Sequence, residues 1–243
     1  MDGKEIISLF DHDGLNAEER NYLHAMARRF CYLLDIVEKI RPEAKKNKAS
    51  ILDIGPSYFT ELLRRSFPND VVYTLGFIHD ESRGGHLPRN VKLDLKNQFD
   101  FDLNEVRDPA KRPAIPAMDI VVFAEVIEHL HTPPLAVLRY IHSIICPGGV
   151  MVLQTPNAVS LRKRWAMLKG KNPYEKIRES RDNPGHFREY TKQELLEYLS
   201  KAGFAIVSAK FADYFPMLKK DAFVKIFLPD GFKDGITIVA KKS

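Results

Sequence analysis

The chain has 243 residues, of which 44% are hydrophobic and 28% charged, a balance typical of one globular domain large enough to enclose a core. It contains no run of about 18 apolar residues and no signal-peptide pattern at its start, so neither a membrane span nor secretion is expected. The two cysteines, Cys31 and Cys146, are too few for a disulfide framework or a zinc site, which favours a cytoplasmic protein.

The formal net charge of +5 is concentrated in one segment of the chain. Residues 161–181 contain eight lysines and arginines against two glutamates, so the local charge is +6. A segment of this kind either faces an anionic partner or forms a solvated helix surface. Both interpretations stay open at the level of sequence.

Apolar residues at helical spacing predict a long first helix over residues 16–40, which ends before Arg41-Pro42. Strand and short-helix patterns then alternate. The elements predicted in this part of the chain are strands at 50–54, 71–77, within 98–103 and at 118–123, and a helix at 58–66.

A second helix pattern follows the strand at 118–123. Thr132 is predicted to cap this helix, whose first turn contains Pro133 and Pro134. The turn at 146–149 (CPGG) is predicted to end it and to lead into a strand at 150–154.

The last helix is predicted from a capping box, because Thr191 is followed three residues later by Glu194. This helix stops at Gly203, and two closing strands are predicted at 204–209 and 235–240. Strands that alternate with helices in this way indicate an α/β, doubly wound and mostly parallel sheet with helices on both faces.

The first strand-to-helix turn, 51–57 (ILDIGPS), is the first candidate ligand site. In doubly wound sheets, ligands bind beyond the carboxyl ends of the strands. Asp53 ends the strand, Gly55 permits close backbone approach, and the helix start with Ser57 offers donors to a carboxylate. The turn lacks both the G-x-G-x-x-G pattern and the lysine of a phosphate loop, so a plain structural turn is the alternative.

Five segments in a fixed order within residues 50–211 resemble the class I S-adenosylmethionine-dependent methyltransferases. The segments are ILDIGPS, FDFDLNE, MDIVVFAEVIEHL, ICPGGVMVLQTPN and GHFREYTKQELLEYLSKAGF. The resemblance implies a Rossmann-like, seven-stranded sheet whose last strand is antiparallel. The chain is expected to be a single domain over 1–243, in which 1–48 form an N-terminal helical cap. Residues 157–188 are expected to form a substrate-side insertion or lid, since the corresponding insertion contacts substrate in this family; a helical surface excursion is the alternative.

The same resemblance implies which residues bind S-adenosylmethionine. Asp53 and Gly55 match the loop that holds the methionine part of the cofactor, and the hydroxyl of Ser57 is a further candidate donor there. Asp102 and Leu103 match the acidic-apolar pair near the adenine, where Asp102 accepts from the amino group. The alternatives are that Asp53 caps the next helix and that Asp102 is a turn residue.

Two features of the chain depart from the family pattern. Pro56 and Ser57 stand where the family has its later loop glycines. The acid that binds the ribose hydroxyls is missing near residues 76–77, and Asp80 or Glu81 further along the loop is the candidate substitute.

The segment after the fourth strand carries the candidate chemistry. The resemblance implies that Ala124 and Glu125 border the methionine end of the cofactor. If a helix starts after residue 123, Glu125, Glu128 and His129 share one face and, with His186, form a candidate site for a divalent metal ion. This set resembles the metal-dependent O-methyltransferases of the family, including those that methylate a ribose 2′-hydroxyl at the 3′ end of small RNAs.

Other roles are open for the same residues. Glutamates in a first helical turn are favoured by the helix dipole alone, and His129 alone can act as a base or simply form hydrogen bonds. The expected catalytic residues are His129, His186 and Glu125, since an oxygen nucleophile benefits from losing its proton to a base or near a metal.

Three functions compete at this stage. The first is S-adenosylmethionine-dependent O-methylation of a small-molecule or glycan-like acceptor, which the basic insertion suggests is anionic. The second is RNA 2′-O-methylation with metal assistance, for which the sequence offers few aromatic stacking platforms. The third is a non-catalytic cofactor- or partner-binding module, which the incomplete glycine loop suggests.

Overall fold

The structure is a computed structural model that describes residues 3–10, 14–41, 48–76, 94–179, 184–214 and 228–242. Its helices are α1 (Gly3–Phe10), α2 (Ala17–Ile40), α3 (Tyr58–Ser66), α4 (Pro134–Ile144), α5 (Leu161–Leu168) and α6 (Lys192–Lys201). Its strands are β1 (Ser50–Ile54), β2 (Val71–Gly76), β3 (Gln98–Asp100), β4 (Met118–Ala124), β5 (Ile145–Pro156), β6 (Phe204–Ala212) and β7 (Gly235–Lys242).

The strands form one sheet in the order β3-β2-β1-β4-β5-β7-β6. The pairs β1–β2, β1–β4, β2–β3 and β4–β5 are parallel, whereas β7 runs antiparallel to both β5 and β6. The predicted sheet of seven strands with an antiparallel last strand is therefore confirmed. The strand order reverses between β1 and β4, and their carboxyl ends meet at the edge where ligands bind in such sheets.

Helices cover both faces of the sheet, as predicted. On one face, α1, α2 and α3 pack on side chains such as Ile51 and Val122. On the other face, α4 and α6 pack on neighbours in the same strands, such as Leu52 and Phe123. Central strands buried on both faces have few polar positions, so a charged residue inside them needs a specific explanation.

Side-chain caps fix where three of the helices begin. Asn16 caps α2 and Thr191 caps α6, and each forms a capping box with the glutamate three residues later. Ser57 caps α3 in the same manner, with Thr60 as its partner. Such caps supply partners for N–H groups that a helix cannot satisfy internally.

Two local predictions in the second half of the sheet are wrong. Pro133, not Thr132, is the capping residue of α4, and it offers no side-chain acceptor. The glycine-rich turn at 146–149 lies inside β5 rather than before it, because Ile145 already pairs with Met118 and the regular register resumes at Val150.

None of the helices within the described ranges has the length and hydropathy that a bilayer crossing requires.

The insertion predicted at residues 157–188 contains α5. A β-bridge between Asn157 and Tyr190 joins its two ends. The insertion therefore leaves and rejoins the domain at one point beside the sheet.

Candidate active site

The loop between β1 and α3 requires glycine at position 55. Gly55 has φ +82°, and a Cβ atom there would lie 2.9 Å from Cγ2 of Val126. Its N–H donates to the carbonyl oxygen of Leu75 at 2.9 Å. The loop is thus held between β2 and the segment after β4, with no room for a side chain.

Asp53 supports this loop from inside the domain. The hydroxyl of Thr60 donates to Oδ2 of the buried Asp53 at 2.6 Å, and the same hydroxyl oxygen accepts from the N–H of Ser57 at 2.9 Å. Burial raises the pKa of Asp53 to about 7. Ser57, and not Asp53, caps α3, since its Oγ accepts from the N–H of Phe59 at 3.1 Å.

Pro56, one of the departures from the family pattern, packs against Gly76, where the acid of the family is missing. A Cβ atom at Gly76, the last residue of β2, would lie 2.8 Å from Cδ of Pro56. The proline therefore fills the space where an acidic side chain at residue 76 would begin. The candidate substitutes Asp80 and Glu81 lie outside the described residues.

The second predicted cofactor segment follows β3. Oδ1 of Asp102 accepts from the N–H of Asn104 at 2.8 Å and starts a 3-10 turn, Leu103–Glu105, in which Leu103 is buried. Oδ1 of Asn104 accepts in turn from the N–H of His131 at 2.8 Å. The segment with Asp102 and Leu103 is therefore fixed to the loop that follows β4.

The helix predicted after residue 123 is absent, which corrects the expected geometry of that loop. Ala124 is the half-buried last residue of β4, and only a short 3-10 turn, Ile127–His129, follows. Glu125 has φ +55°, a conformation rare outside glycine that is found often at functional sites. Its N–H donates to the carbonyl oxygen of Gln154 at 2.8 Å, which holds the turn against β5.

Three of the four predicted metal ligands come together despite the missing helix. Potential ligand atoms of Glu128, His129 and His186 all lie within 4.8 Å of one another. Glu125 does not belong to this group, so the predicted four-residue set is reduced to three. A carboxylate and two imidazoles are a ligand set typical of divalent transition metals.

Hydrogen bonds orient both imidazole rings of this cluster. Nδ1 of His129 lies 3.0 Å from the carbonyl oxygen of Gly185, and Nδ1 of His186 lies 3.1 Å from Oε1 of Glu189. Both oxygens only accept, so each Nδ1 carries the proton and each Nε2 presents its lone pair in the neutral ring. Burial and the nearby His129 lower the pKa of His186 to about 4, which keeps this ring neutral.

Glu128 links the two halves of the cluster. Its Oε2 accepts from the hydroxyl of Thr155 at 2.9 Å, and its backbone carbonyl accepts from the N–H of Phe187 at 2.8 Å. Oε1 of Glu128 and Oε1 of Glu125 are buried without a hydrogen-bond partner among the described residues. Burial raises the pKa of both carboxyl groups, and the charge of Glu128 further raises that of Glu125.

Arg29 is a further candidate residue of the site that was not predicted from the sequence. This arginine of α2 is only 7% exposed, and its charge lowers the pKa of Asp53, Glu125 and Glu128 against the larger effect of burial. Its Nε is buried without a partner in the described part of the chain. The sequence does contain a signal for the burial of Arg29, because this residue falls in the apolar stripe of α2 between Met26 and Leu33.

The basic insertion also contributes a half-buried residue that was not predicted. Lys163 of α5 forms an ion pair with Glu189, the partner of His186, and donates to the carbonyl oxygen of Asn157 at 3.0 Å. Burial lowers the pKa of Lys163 to about 8. Because Lys163 neutralises the charge of Glu189, the carboxylate orients the His186 ring without favouring its doubly protonated form.

A cavity of about 380 Å³ lies beside His186. Its described lining combines apolar side chains with three carboxylates and one arginine: Ala158, Val159, Tyr174, Glu175, Ile177, His186, Phe187, Arg188, Glu189, Thr191 and Glu194. Glu194 pairs with Arg188, and Glu175 with Arg178. This size is within the range of small-molecule sites.

The chain belongs to a methyltransferase family. A family model described as a methyltransferase domain matches residues 22–209, which include β1 to β5, the loops that follow them and the cluster around Glu128. With the sheet topology, this match establishes the protein as an S-adenosylmethionine-dependent methyltransferase. The interpretation as a non-catalytic module is therefore not retained. No curated protein matches the sequence well enough to count as a relative.

Several solved structures share the fold at low identity. An S-adenosylmethionine-dependent methyltransferase from Archaeoglobus fulgidus is 18% identical with a TM-score of 0.55, over 88% of this chain and 94% of that chain. One from Mesorhizobium loti is 16% identical with a TM-score of 0.52, over 86% and 96%. One from Clostridium acetobutylicum is 10% identical with a TM-score of 0.54, over 99% and 98%. At these identities the likeness shows the fold alone.

Proposed function

We propose that the protein is an O-methyltransferase in which Glu128, His129 and His186 hold a divalent metal ion beside the acceptor hydroxyl. The observation that carries this proposal is the convergence of the three ligands within 4.8 Å, with both imidazoles oriented through Nδ1. Hydrogen bonds of this kind are typical of histidines that bind metals through Nε2.

The residues fit a cation in their charge as well as in their spacing. Oε1 of Glu128 is a buried acceptor without a partner among the described residues, and an unsatisfied carboxylate oxygen in a low-dielectric site is unfavourable unless a proton or a cation meets it. When bound, a divalent ion lowers the pKa of a coordinated hydroxyl. Burial raises the pKa of Glu125, so its Oε1 is suited to accept the hydroxyl proton near neutral pH.

The residues also fit the methionine part of S-adenosylmethionine, which supplies an activated methyl group when bound. The buried guanidinium of Arg29 suits the cofactor carboxylate, and the closely packed Gly55 loop admits its approach. Ser57, Asp102, Leu103 and Ala124 are proposed to complete this site. The task of the chain is then to align the acceptor and exclude water.

The acceptor is proposed to be a small-molecule or glycan-like hydroxyl compound bound in the cavity beside His186. Aromatic side chains of Tyr174 and Phe187 alternate there with carboxylates and Thr191, a lining suited to the apolar faces and hydroxyl groups of such compounds. An anionic acceptor stays a prediction that the three lining glutamates do not favour. Ribose 2′-O-methylation of RNA is the second candidate, because the same ligand set suits a terminal ribose and Trp165 is exposed for base stacking.

The metal part of the proposal is tested by calorimetry of the purified chain with Mn²⁺ and Mg²⁺. We expect one ion per chain, with binding abolished by His129→Ala and by His186→Ala. His131→Ala is the matched control, because His131 lies in the same loop but outside the cluster. Retention of full metal affinity by both cluster variants, or absence of binding to the parent, overturns the metal site.

The transfer step is tested with labelled S-adenosylmethionine and a panel of hydroxyl compounds. An RNA with a 3′-terminal ribose is included beside the same RNA ending in a 2′-deoxyribose. We expect label in an alkali-stable ether, lost with a chelator and restored by Mn²⁺. Label recovered only in amines overturns O-methylation, and label in the ribose RNA alone selects the second candidate.

A further inference from the structure

We propose that the outer surface of the insertion, residues 165–177, docks on an anionic lipid bilayer. We call this surface the insertion patch. Its exposed apolar side chains are Trp165 (58%), Met167 (43%), Leu168 (79%), Tyr174 (40%) and Ile177 (62%). The inference goes beyond methyl transfer and does not depend on which acceptor is methylated.

Exposed apolar area is concentrated in the insertion patch. Ten large apolar side chains are exposed in the described part of the chain, and five of them belong to this stretch of thirteen residues. α5 has no buried residue at all, although Trp165 and Leu168 lie one turn apart on the same side of it. An apolar patch of this kind in a soluble domain indicates a surface that leaves water in some bound state.

The charge of the same segment indicates what covers the patch. Residues 165–177 contain three lysines against one glutamate, and Arg162, Arg164 and Arg178 flank them. None of these cationic residues lines the described part of the cavity beside His186. Nζ of Lys169 lies 4.9 Å from the ring centroid of the exposed Trp165. Cationic groups beside an exposed tryptophan and aliphatic side chains are the composition of helices that lie in the headgroup region of anionic membranes.

The aliphatic members of the patch favour a bilayer over RNA. Single-stranded RNA is bound through aromatic stacking and phosphate contacts, and neither removes Leu168 or Ile177 from water. A bilayer accepts Trp165 at the interface and the aliphatic side chains below it. Tyr174 and Ile177 also line the cavity beside His186, so docking would bring the cavity mouth to the lipid surface.

The experiment measures co-sedimentation of the full chain with vesicles of phosphatidylcholine alone and of equal parts phosphatidylcholine and phosphatidylglycerol. We expect binding to the anionic vesicles only, weakened by added salt. Trp165→Ser with Leu168→Ser lowers the partition coefficient by about tenfold or more. Val207→Ser is the matched control, since Val207 is 61% exposed and belongs to β6, outside the insertion. We expect it to leave binding unchanged.

Circular dichroism checks that the variants are folded. We expect that they are, because the replaced side chains are exposed. The proposal is overturned if the parent does not bind anionic vesicles at low salt, or if Val207→Ser weakens binding as much as the double variant. It is also overturned if single-stranded RNA binds and the double variant weakens RNA binding while vesicle binding is unaffected. That result assigns the patch to nucleic acid.

Discussion

Oε1 of Glu189 lies 3.1 Å from Nδ1 of His186, and Oε2 of the same carboxylate pairs with Lys163 of α5. The Glu189 side chain is only 5% exposed. The insertion is thereby joined to the proposed metal cluster through the buried Glu189 carboxylate and the half-buried Lys163. The orientation of His186 thus depends on a residue outside the cluster.

Replacing Glu189 is therefore expected to weaken metal binding without removing a ligand. Glu189→Ala leaves Nδ1 of His186 without its acceptor, and we expect affinity for Mn²⁺ to fall by about 10- to 100-fold. Glu189→Gln keeps an acceptor oxygen and is expected to lose less. Calorimetry measures both, with Glu197→Ala as control because Glu197 forms an exposed ion pair with Lys201. Unchanged affinity in Glu189→Ala would contradict the orienting role.

Arg29 gives a second prediction, this time on the cofactor. Arg29→Met keeps an unbranched apolar stem but removes the buried charge, so we expect the Kd for S-adenosylmethionine to rise by about 10- to 100-fold, the range of a charge-assisted hydrogen bond. Arg28→Met is the control, because Arg28 is the exposed neighbour on the same helix. Equal Kd values for the parent and Arg29→Met would remove Arg29 from the cofactor site.

The sheet was predictable from sequence because its signals are local. β1 and α3 have the predicted bounds. A short apolar run predicts a buried strand and apolar residues at helical spacing predict a helix, and both patterns lie within the element itself. The capping box at Thr191 and Glu194 was predictable for the same reason. A helix was wrongly predicted at residues 125–129 because Glu125 adopts φ +55°. This backbone conformation depends on tertiary contacts, which the spacing of apolar residues does not reveal.

The candidate site could be predicted only for residues that lie within the family motifs. His129 and His186 are 57 positions apart in the sequence. Only the order of the family motifs predicted that they lie close together in the fold. Arg29 and Lys163 lie outside the motifs, and long cationic side chains are normally solvated. Arg29 is buried in the domain, and Lys163 is half-buried beside its ion-pair partner Glu189. Both environments depend on contacts distant in sequence.

Asp53 predicts a pH dependence of stability in the cofactor-free protein. Burial raises its pKa from 3.8 to about 7 in the folded state. Between these values the folded state binds more protons than the unfolded state, so the free energy of unfolding falls as pH rises, by an amount on the order of a few kcal/mol. Glu125 and Glu128 act in the same direction.

Asp53→Asn tests this effect, since the amide keeps an acceptor for Thr60 and does not ionise. We expect the variant to show a smaller decrease of unfolding free energy between about pH 4 and pH 7, measured by urea denaturation at several pH values. Asp108→Asn, at an exposed capping position, is the control and retains the parent profile. An Asp53→Asn profile parallel to that of the parent would mean that Asp53 ionises normally in the fold.

The contact between Pro56 and Gly76 predicts a specific coupling between two substitutions. Gly76→Asp introduces a Cβ atom 2.8 Å from Cδ of Pro56, and we expect a loss of about 1–3 kcal/mol in the free energy of unfolding from overpacking. Pro56→Gly removes the obstructing ring, so the double variant should be less destabilised than the sum of the two single variants. Urea denaturation of the parent and the three variants measures the coupling. Strict additivity would show that the loop moves away from residue 76 at no cost, and the missing acid would then need an explanation other than Pro56.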